Sequence, residues 1–301
     1  MVVGVTTRWA PGFVLLSAIW GSSFVLIKVA VDAGVAPVWV ALWRCFFGAL
    51  ALWLFCLVQR VRLPRSRRLW AHAAIVAGLH NAVPFTLFAF GETQVSSVLA
   101  GVWNATTPLT TLVFVLFLVP DEHPTRRRLL GLLIGFSGVL VVLGVWRGIE
   151  GGLLVGSLAC LGATTFYGAG FAYTKRFFSG GSESASALIA MQLGCATVEL
   201  AVVSPVLGGA PIWPGATAAA CLVLLGAVGT GIAFLLNMRV IRVAGSTIAA
   251  TVTYVTPLWS TALGAILLAE PVGWNTAVGG ALVIAGVVFA RSAARVPEPV
   301  R

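Results

Sequence analysis

Trp20-Gly21-Ser22-Ser23-Phe24-Val25-Leu26-Ile27-Lys28 returns 147 residues later as Tyr167-Gly168-Ala169-Gly170-Phe171-Ala172-Tyr173-Thr174-Lys175, so an aromatic-Gly-x-x-Phe-x-x-x-Lys pattern is written twice. Downstream, Ala100-x-x-x-Asn104-x-x-Thr107-Pro108 recurs as Ala249-x-x-x-Thr253-x-x-Thr256-Pro257 at an offset of 149. The drift from 147 to 149 needs only small loop insertions. A fixed-period repeat governs the whole fold, so the chain reads as one unit present in two copies.

Composition places both copies in a membrane. Hydrophobic residues make up 59% of the chain and charged residues 9%, against about 25% charged in a soluble domain. A helix needs about 20 apolar residues to cross a bilayer. Such runs fall near 13–32, 38–58, 70–91, 95–118 and 129–146, and again near 152–174, 185–206, 215–236, 246–269 and 274–290. The expected fold is therefore all-α and integral to the membrane, with ten transmembrane helices in two five-helix repeats over residues 13–146 and 151–290, and a tail at 291–301.

Basic residues orient the spans. Arg60, Arg62, Arg65, Arg67 and Arg68 follow span 2, Arg126 to Arg128 follow span 4, Lys175 and Arg176 follow span 6, Arg239 and Arg242 follow span 8, and Arg291, Arg295 and Arg301 close the chain. The alternate loops hold almost no Lys or Arg, Arg147 excepted. Both termini are thus expected on the cytoplasmic side of the cytoplasmic membrane. The net charge of +10 follows from topology and attraction to anionic headgroups, with no nucleic-acid partner needed.

Five spans per copy is an odd number, which turns the second copy upside down. Lys28 then lies near the outer end of span 1 and Lys175 at the inner end of span 6. Inverted repeats are characteristic of secondary transporters, whose site lies where the copies meet near the midplane and whose cycle is alternating access.

The proline positions locate that site. A proline inside a helix removes a hydrogen bond and frees the carbonyl four residues earlier. Pro108 and Pro257 would free the carbonyls of Asn104 and Thr253, and exposed backbone in hydrocarbon is tolerated mainly beside a cavity. Asn104, Thr107 and Thr111 share one helical face, as do Thr253, Thr256 and Ser260; such residues either line a cavity or bind helices together. In span 3, Pro84 stands next to His80-Asn81, a third polar site at bilayer depth. Span 8 carries Gly226, Gly229 and Gly231 there, so its bend is expected from glycine.

Charged residues inside the spans sharpen the picture. Arg44 in span 2 and Glu199 in span 7 cost several kcal/mol facing lipid, so each should face protein or water. Arg44 is either an anchor for an anionic solute, through its fork of donors, or part of a structural pair. Glu199 is a candidate for proton or cation coupling, and Gln192 a further solute contact. Glu92, at the outer end of span 3, is read as interfacial or as a second coupling group. Lys28 has Asp32 four residues on, the spacing of a helix-end ion pair. Asp121, Glu122 and Glu270 precede new helices and suit their N-terminal dipoles.

Trp39, Trp70, Trp146, Trp213 and Trp274 fall at span ends, the interfacial position. Trp20, Trp103 and Trp259 lie deeper, where they pack or stack on a ligand. Gly131, Gly135 and Gly138 on span 5, partly mirrored by Gly279, Gly280 and Gly286 on span 10, permit close helix approach, either in a homodimer or within one chain. The five cysteines lie within or at the ends of apolar spans without a C-x-x-C pair, and free thiols with no metal are expected.

The order of these pieces resembles the drug/metabolite transporter superfamily of EamA type, over about residues 13–290: Trp20-Gly21-x-x-Phe24-x-x-x-Lys28, Asn81-x-x-Pro84-Phe85, Asn104-Ala105-Thr106-Thr107-Pro108, and Tyr254-x-x-Pro257 ending in Glu270. Tyr167 departs from the tryptophan common at that place. The resemblance implies a ten-helix bundle, a cavity lined by the first four helices of each repeat, and movement of amino acids, metabolites or drugs, often as export. A secondary transporter of a small organic solute is the reading, with Trp20, Tyr167 and Tyr254 joining the candidate contacts. No cofactor is expected, and a G-x-x-x-x-G-K-[ST] loop for ATP is missing. A membrane-embedded enzyme of lipid-linked substrates, a lipid flippase and a channel stay open as alternatives.

Overall fold

The protein's structure is a computed structural model and describes residues 9–118, 126–143, 151–177, 183–244, 249 and 252–291. Trp146, Arg147, Asp121 and Glu122 lie outside these residues. The described chain is helical, with no strand among the described residues. In order, α1 is Ala10–Asp32, α2 Pro37–Val58, α3 Arg67–Ala77, α4 Val83–Glu92, α5 Ser97–Asn104, α6 Thr107–Leu118, α7 Arg126–Leu143, α8 Gly151–Phe177, α9 Ala185–Gly208, α10 Ala216–Gly226, α11 Ala233–Ala244, α12 Val252–Leu267 and α13 Trp274–Arg291. Two π segments, Gly78–Ala82 and Ala227–Ile232, join α3 to α4 and α10 to α11.

Among the described residues six helical runs are long and apolar enough to cross a membrane: Ala10–Asp32, Pro37–Val58, Arg67–Glu92, Gly151–Thr174, Ala185–Gly208 and Ala216–Val243. Large apolar side chains cover their outside, Leu57 on α2 and Val206 on α9 being 75% and 81% exposed. Hydrocarbon is the solvent in which such a surface is stable. The protein is a multi-pass membrane protein.

Helix ends follow local chemistry. Pro11 and Pro37 occupy first turns, where a missing N–H leaves nothing unpaired. Ser66 and Ser96 cap α3 and α5 by accepting from Leu69 N and Leu99 N. Between α1 and α2 the turn passes through Gly34 at φ +84°, a conformation open to glycine.

The packing repeats as the sequence does. α1 lies against α12, and α8 against α6; α2 meets the second π segment, and α9 the first; α2 pairs with α9, and α7 with α13. The motif that opens each copy explains two of these contacts. A Cβ at Gly21 would lie 2.3 Å from Trp259 Cβ and 2.9 Å from the Thr256 carbonyl oxygen, and one at Gly168 would lie 2.7 Å from the Thr110 carbonyl carbon and 2.8 Å from Thr111 N. In both copies the glycine lets the first helix press on the proline-bearing helix of the other copy. The glycines of spans 5 and 10 are likewise used within the chain, Gly138 meeting Gly279 O and Val283 N. Gly138, Gly279 and Gly286 bring α7 and α13 together within the chain, and Gly280 faces Val102 of α5.

Candidate solute site

The bends differ from those expected of the prolines. Pro84 lies in the first turn of α4, and the wider turn before it comes from the π segment, where Val83 N reaches Gly78 O. The segment Ala227–Ile232 is its counterpart at an offset of 149, so both copies bend by the same device. Span 4 is broken rather than kinked: α5 ends at Asn104, Ala105 and Thr106 form a turn, and Pro108 sits in the first turn of α6. Pro257 stays inside α12. Interrupted helices of this kind are tolerated where protein or a cavity satisfies the freed backbone.

A cavity of about 270 Å³ lies among these interruptions. That is near the lower end of the ~300–1,000 Å³ typical of small-molecule sites. Of the residues singled out from sequence, Trp20, Arg44, His80, Asn104, Tyr167, Gln192 and Thr253 line it. Phe24, Phe85, Phe88, Phe171 and Phe234 form most of the apolar wall. Trp20 meets Phe234 edge-on at 6.5 Å, Phe24 meets Phe88 at 5.5 Å, and His80 stands 4.5 Å from Phe171.

Arg44 is the charged group on this wall. It is 9% exposed, its guanidinium lies 3.8 Å above the Phe85 ring, and its Nε donates to Thr230 Oγ1 at 3.0 Å. Thr230 in turn donates to Leu225 O at 3.1 Å, the carbonyl five residues back in the last turn of α10. On α9, which packs against α2, Gln192 Nε2 donates to Asn81 Oδ1 at 2.5 Å. Gln192 stands 148 residues after Arg44, and Thr230 stands 149 after Asn81. The two bonds are therefore one contact made twice, each joining the second span of one copy to the third span of the other. Interhelical bonds of this type average ~0.6 kcal/mol, too little to hold a bundle together, so their consequence is the direction in which Arg44 and Gln192 point.

The other candidates lie off the cavity. Asn81 is fully buried and acts through Gln192. Trp103 and Tyr254 are 2% and 9% exposed and sit in apolar clusters. Thr107 is buried, and its carbonyl accepts from the Thr110 and Thr111 hydroxyls. Thr256 donates to Val252 O inside α12. Glu199 is half-buried near Gly78.

Glu92 is the last residue of α4. It is fully enclosed, with neither carboxylate oxygen bonded, while Lys28 Nζ donates to its backbone carbonyl at 2.9 Å and pairs with Asp32 at 3.0 Å. Glu270 caps a helix, though not the one that follows it. Ala269, at φ 53°, turns the chain so that the Glu270 carboxylate accepts from Ser97 N, Val98 N and Ser97 Oγ at 2.9, 3.0 and 2.8 Å, at the start of α5 in the other copy.

Thr230, Phe234 and Asn237 line the cavity without having been singled out from sequence. The repeat held the signal: an offset of 149 carries Asn81, Phe85 and Phe88 onto them.

A membrane bundle with a solute-sized, partly polar chamber at the meeting of two sequence copies defines the transporter class of architecture. The EamA-like transporter family matches residues 7–144 and 154–292, so each copy is one of its units. The chain belongs to that family. It is 25% identical over 279 residues to the uncharacterized transporter YdfC of Bacillus subtilis, covering 91% of this chain and 88% of that one. Protein PagO of Salmonella typhimurium is 29% identical over 134 residues, 44% of this chain and 42% of PagO. A protein crystal structure superposes with a TM-score of 0.65 over 96% of this chain and 99% of its own at 19% identity, a likeness of fold.

Proposed function

We propose that this protein is a secondary transporter that exports a small organic solute across the cytoplasmic membrane by alternating access. Ten spans in two inverted five-helix repeats, with both termini cytoplasmic, complete the reading. The observation that carries it is the duplicated Arg44–Thr230 and Gln192–Asn81 contact, with both members of each bond drawn from opposite copies around one chamber. Rocking one copy against the other would change these two contacts in opposite senses, as a two-state carrier requires.

The ends of the bundle support a closed outer side. Asp32, Glu92, Ser97 and Glu270 gather at one end, tied by Lys28 to Glu92 O and by the Glu270 cap. By the positive-inside rule that end faces out. The chamber lies on the other side of these ties, since its walls include Phe171, Ile189 and Asn237 near the basic loops. Glu92 and Glu199 are the groups proposed to couple transport to a proton or cation.

Proteoliposomes holding the full chain, loaded with a panel of labelled metabolites and sampled with and without a pH gradient, test the proposal. Saturable exchange of at least one solute, lost in Asn104→Ala, is expected. Large single-channel currents would replace the carrier reading with a channel.

A further inference from the structure

We infer that the solute is an organic carboxylate with a flat apolar body and no fixed positive charge, its carboxylate held by the terminal nitrogens of Arg44. The inference rests on the transport reading. The Arg44 guanidinium is fixed by its Nε bond to Thr230 and by the Phe85 face beneath it. Among the described residues its two Nη groups have no hydrogen-bond partner, and no carboxylate lies within 4.0 Å. A cation this deeply buried is costly without an anion or water to answer it. A planar fork with both terminal nitrogens open to a cavity matches a carboxylate in geometry and charge.

The rest of the wall selects against cations. Among the described residues, neither Asp nor Glu lines the chamber. Glu92 is enclosed elsewhere, and Glu199 stands near Gly78. Aromatic faces attract a cation weakly, but an α-ammonium group is attached one carbon from the carboxylate and would stand beside Arg44, where like charges repel. The symmetric position holds Gln192, a neutral residue whose amide nitrogen is bonded to Asn81. Arg44 therefore gives the chamber a positive group and Gln192 a neutral one, and Phe24, Phe88, Phe171 and Phe234 line the space beside them.

The test uses four probes on one carbon skeleton: 3-phenylpropionate, phenylalanine, 3-phenylpropanamide and 3-phenylpropylamine. Equilibrium binding to the full chain in nanodiscs at neutral pH should favour the acid over each of the others by at least about tenfold, the scale of one charge-assisted bond. Arg44→Gln should abolish the preference and Arg44→Lys should keep part of it. Thr230→Val, which leaves the charge but frees the side chain, should weaken acid binding while the acid stays preferred, and thermal unfolding monitors that each variant is folded. Equal binding of phenylalanine or the amine, a preference that survives Arg44→Gln, or no saturable binding of the acid overturns the inference. Exchange flux of phenylalanine or the amide without acid preference would end this assignment and leave transport standing, whereas acid-selective binding with no flux of any probe would support the site and remove the transport reading.

Discussion

Arg44 and Thr230, 186 positions apart in sequence, share a 3.0 Å hydrogen bond across the boundary between the two copies of the repeat. The same bond, between Gln192 and Asn81, carries no charge. Hydrogen bonds to charged groups contribute about 1.5–3 kcal/mol and neutral ones about 1. Thr230→Val should therefore raise the half-saturating solute concentration about tenfold, with a smaller change in maximal rate, and Asn81→Ala should raise it less. Equal shifts in a proteoliposome assay would mean that the charge of Arg44 has no part in solute binding.

The Glu270 carboxylate answers two backbone N–H groups and one hydroxyl at the start of α5. Glu270→Gln turns an amide donor toward those donors and removes the favourable charge at a helix N-terminus. A loss of about 1–2 kcal/mol is expected. Thermal unfolding in detergent should show a lowered midpoint for Glu270→Gln and a smaller drop for Ser97→Ala, which keeps both backbone bonds. An unchanged midpoint in Glu270→Gln would remove the cap from the list of what ties the copies together.

Gly21 stands where a Cβ would overlap Trp259. Gly21→Ala should destabilise by about 1–3 kcal/mol, the cost of overpacking a close contact. Gly151, with open space around it, should accept alanine without loss. Comparing the two unfolding midpoints, with Gly168→Ala as the symmetric case, tests whether the repeated motif exists for helix approach.

Solute-accessible positions can be read with a thiol reagent in a background lacking the five native cysteines. Cysteine at Asn104, Gln192 or Thr253 should react from water, and cysteine at Asn81 or Thr256 should be protected by burial. Reaction at Thr256 with protection at Asn104 would put the chamber on the wrong face of these helices.

Glu92 has both carboxylate oxygens enclosed and unbonded. If it couples ion movement to transport, Glu92→Gln should abolish the response of flux to an imposed pH gradient while solute exchange at equal pH continues. A gradient response retained in Glu92→Gln and lost in Glu199→Gln would move the coupling role to Glu199.

Seven of the chamber's residues were legible in sequence because polar or aromatic groups in apolar runs have few inexpensive places to be. Trp103, Thr107 and Tyr254 met the same criterion and lie in packed interiors, since a one-residue change of helical face decides between chamber and core. Thr230 and Asn237 were not singled out by any motif. The role of Thr230 depends on the second span of the other copy reaching it.

The sequence alone determined that the chain is duplicated, apolar and helical, because composition and repeat period depend only on residue order. It also marked where regular helix would fail, but not how: proline and glycine positions do not say whether the chain breaks, as at Ala105–Thr106, or widens into a π segment. The pairing of Arg44 with Thr230 and of Glu270 with Ser97, and the opening of Arg44's remaining donors into a chamber, were decided by tertiary structure. Those relationships join residues about 170 or more positions apart, and only the close approach of two folded copies, made through Gly21 and Gly168, brings them within bonding distance.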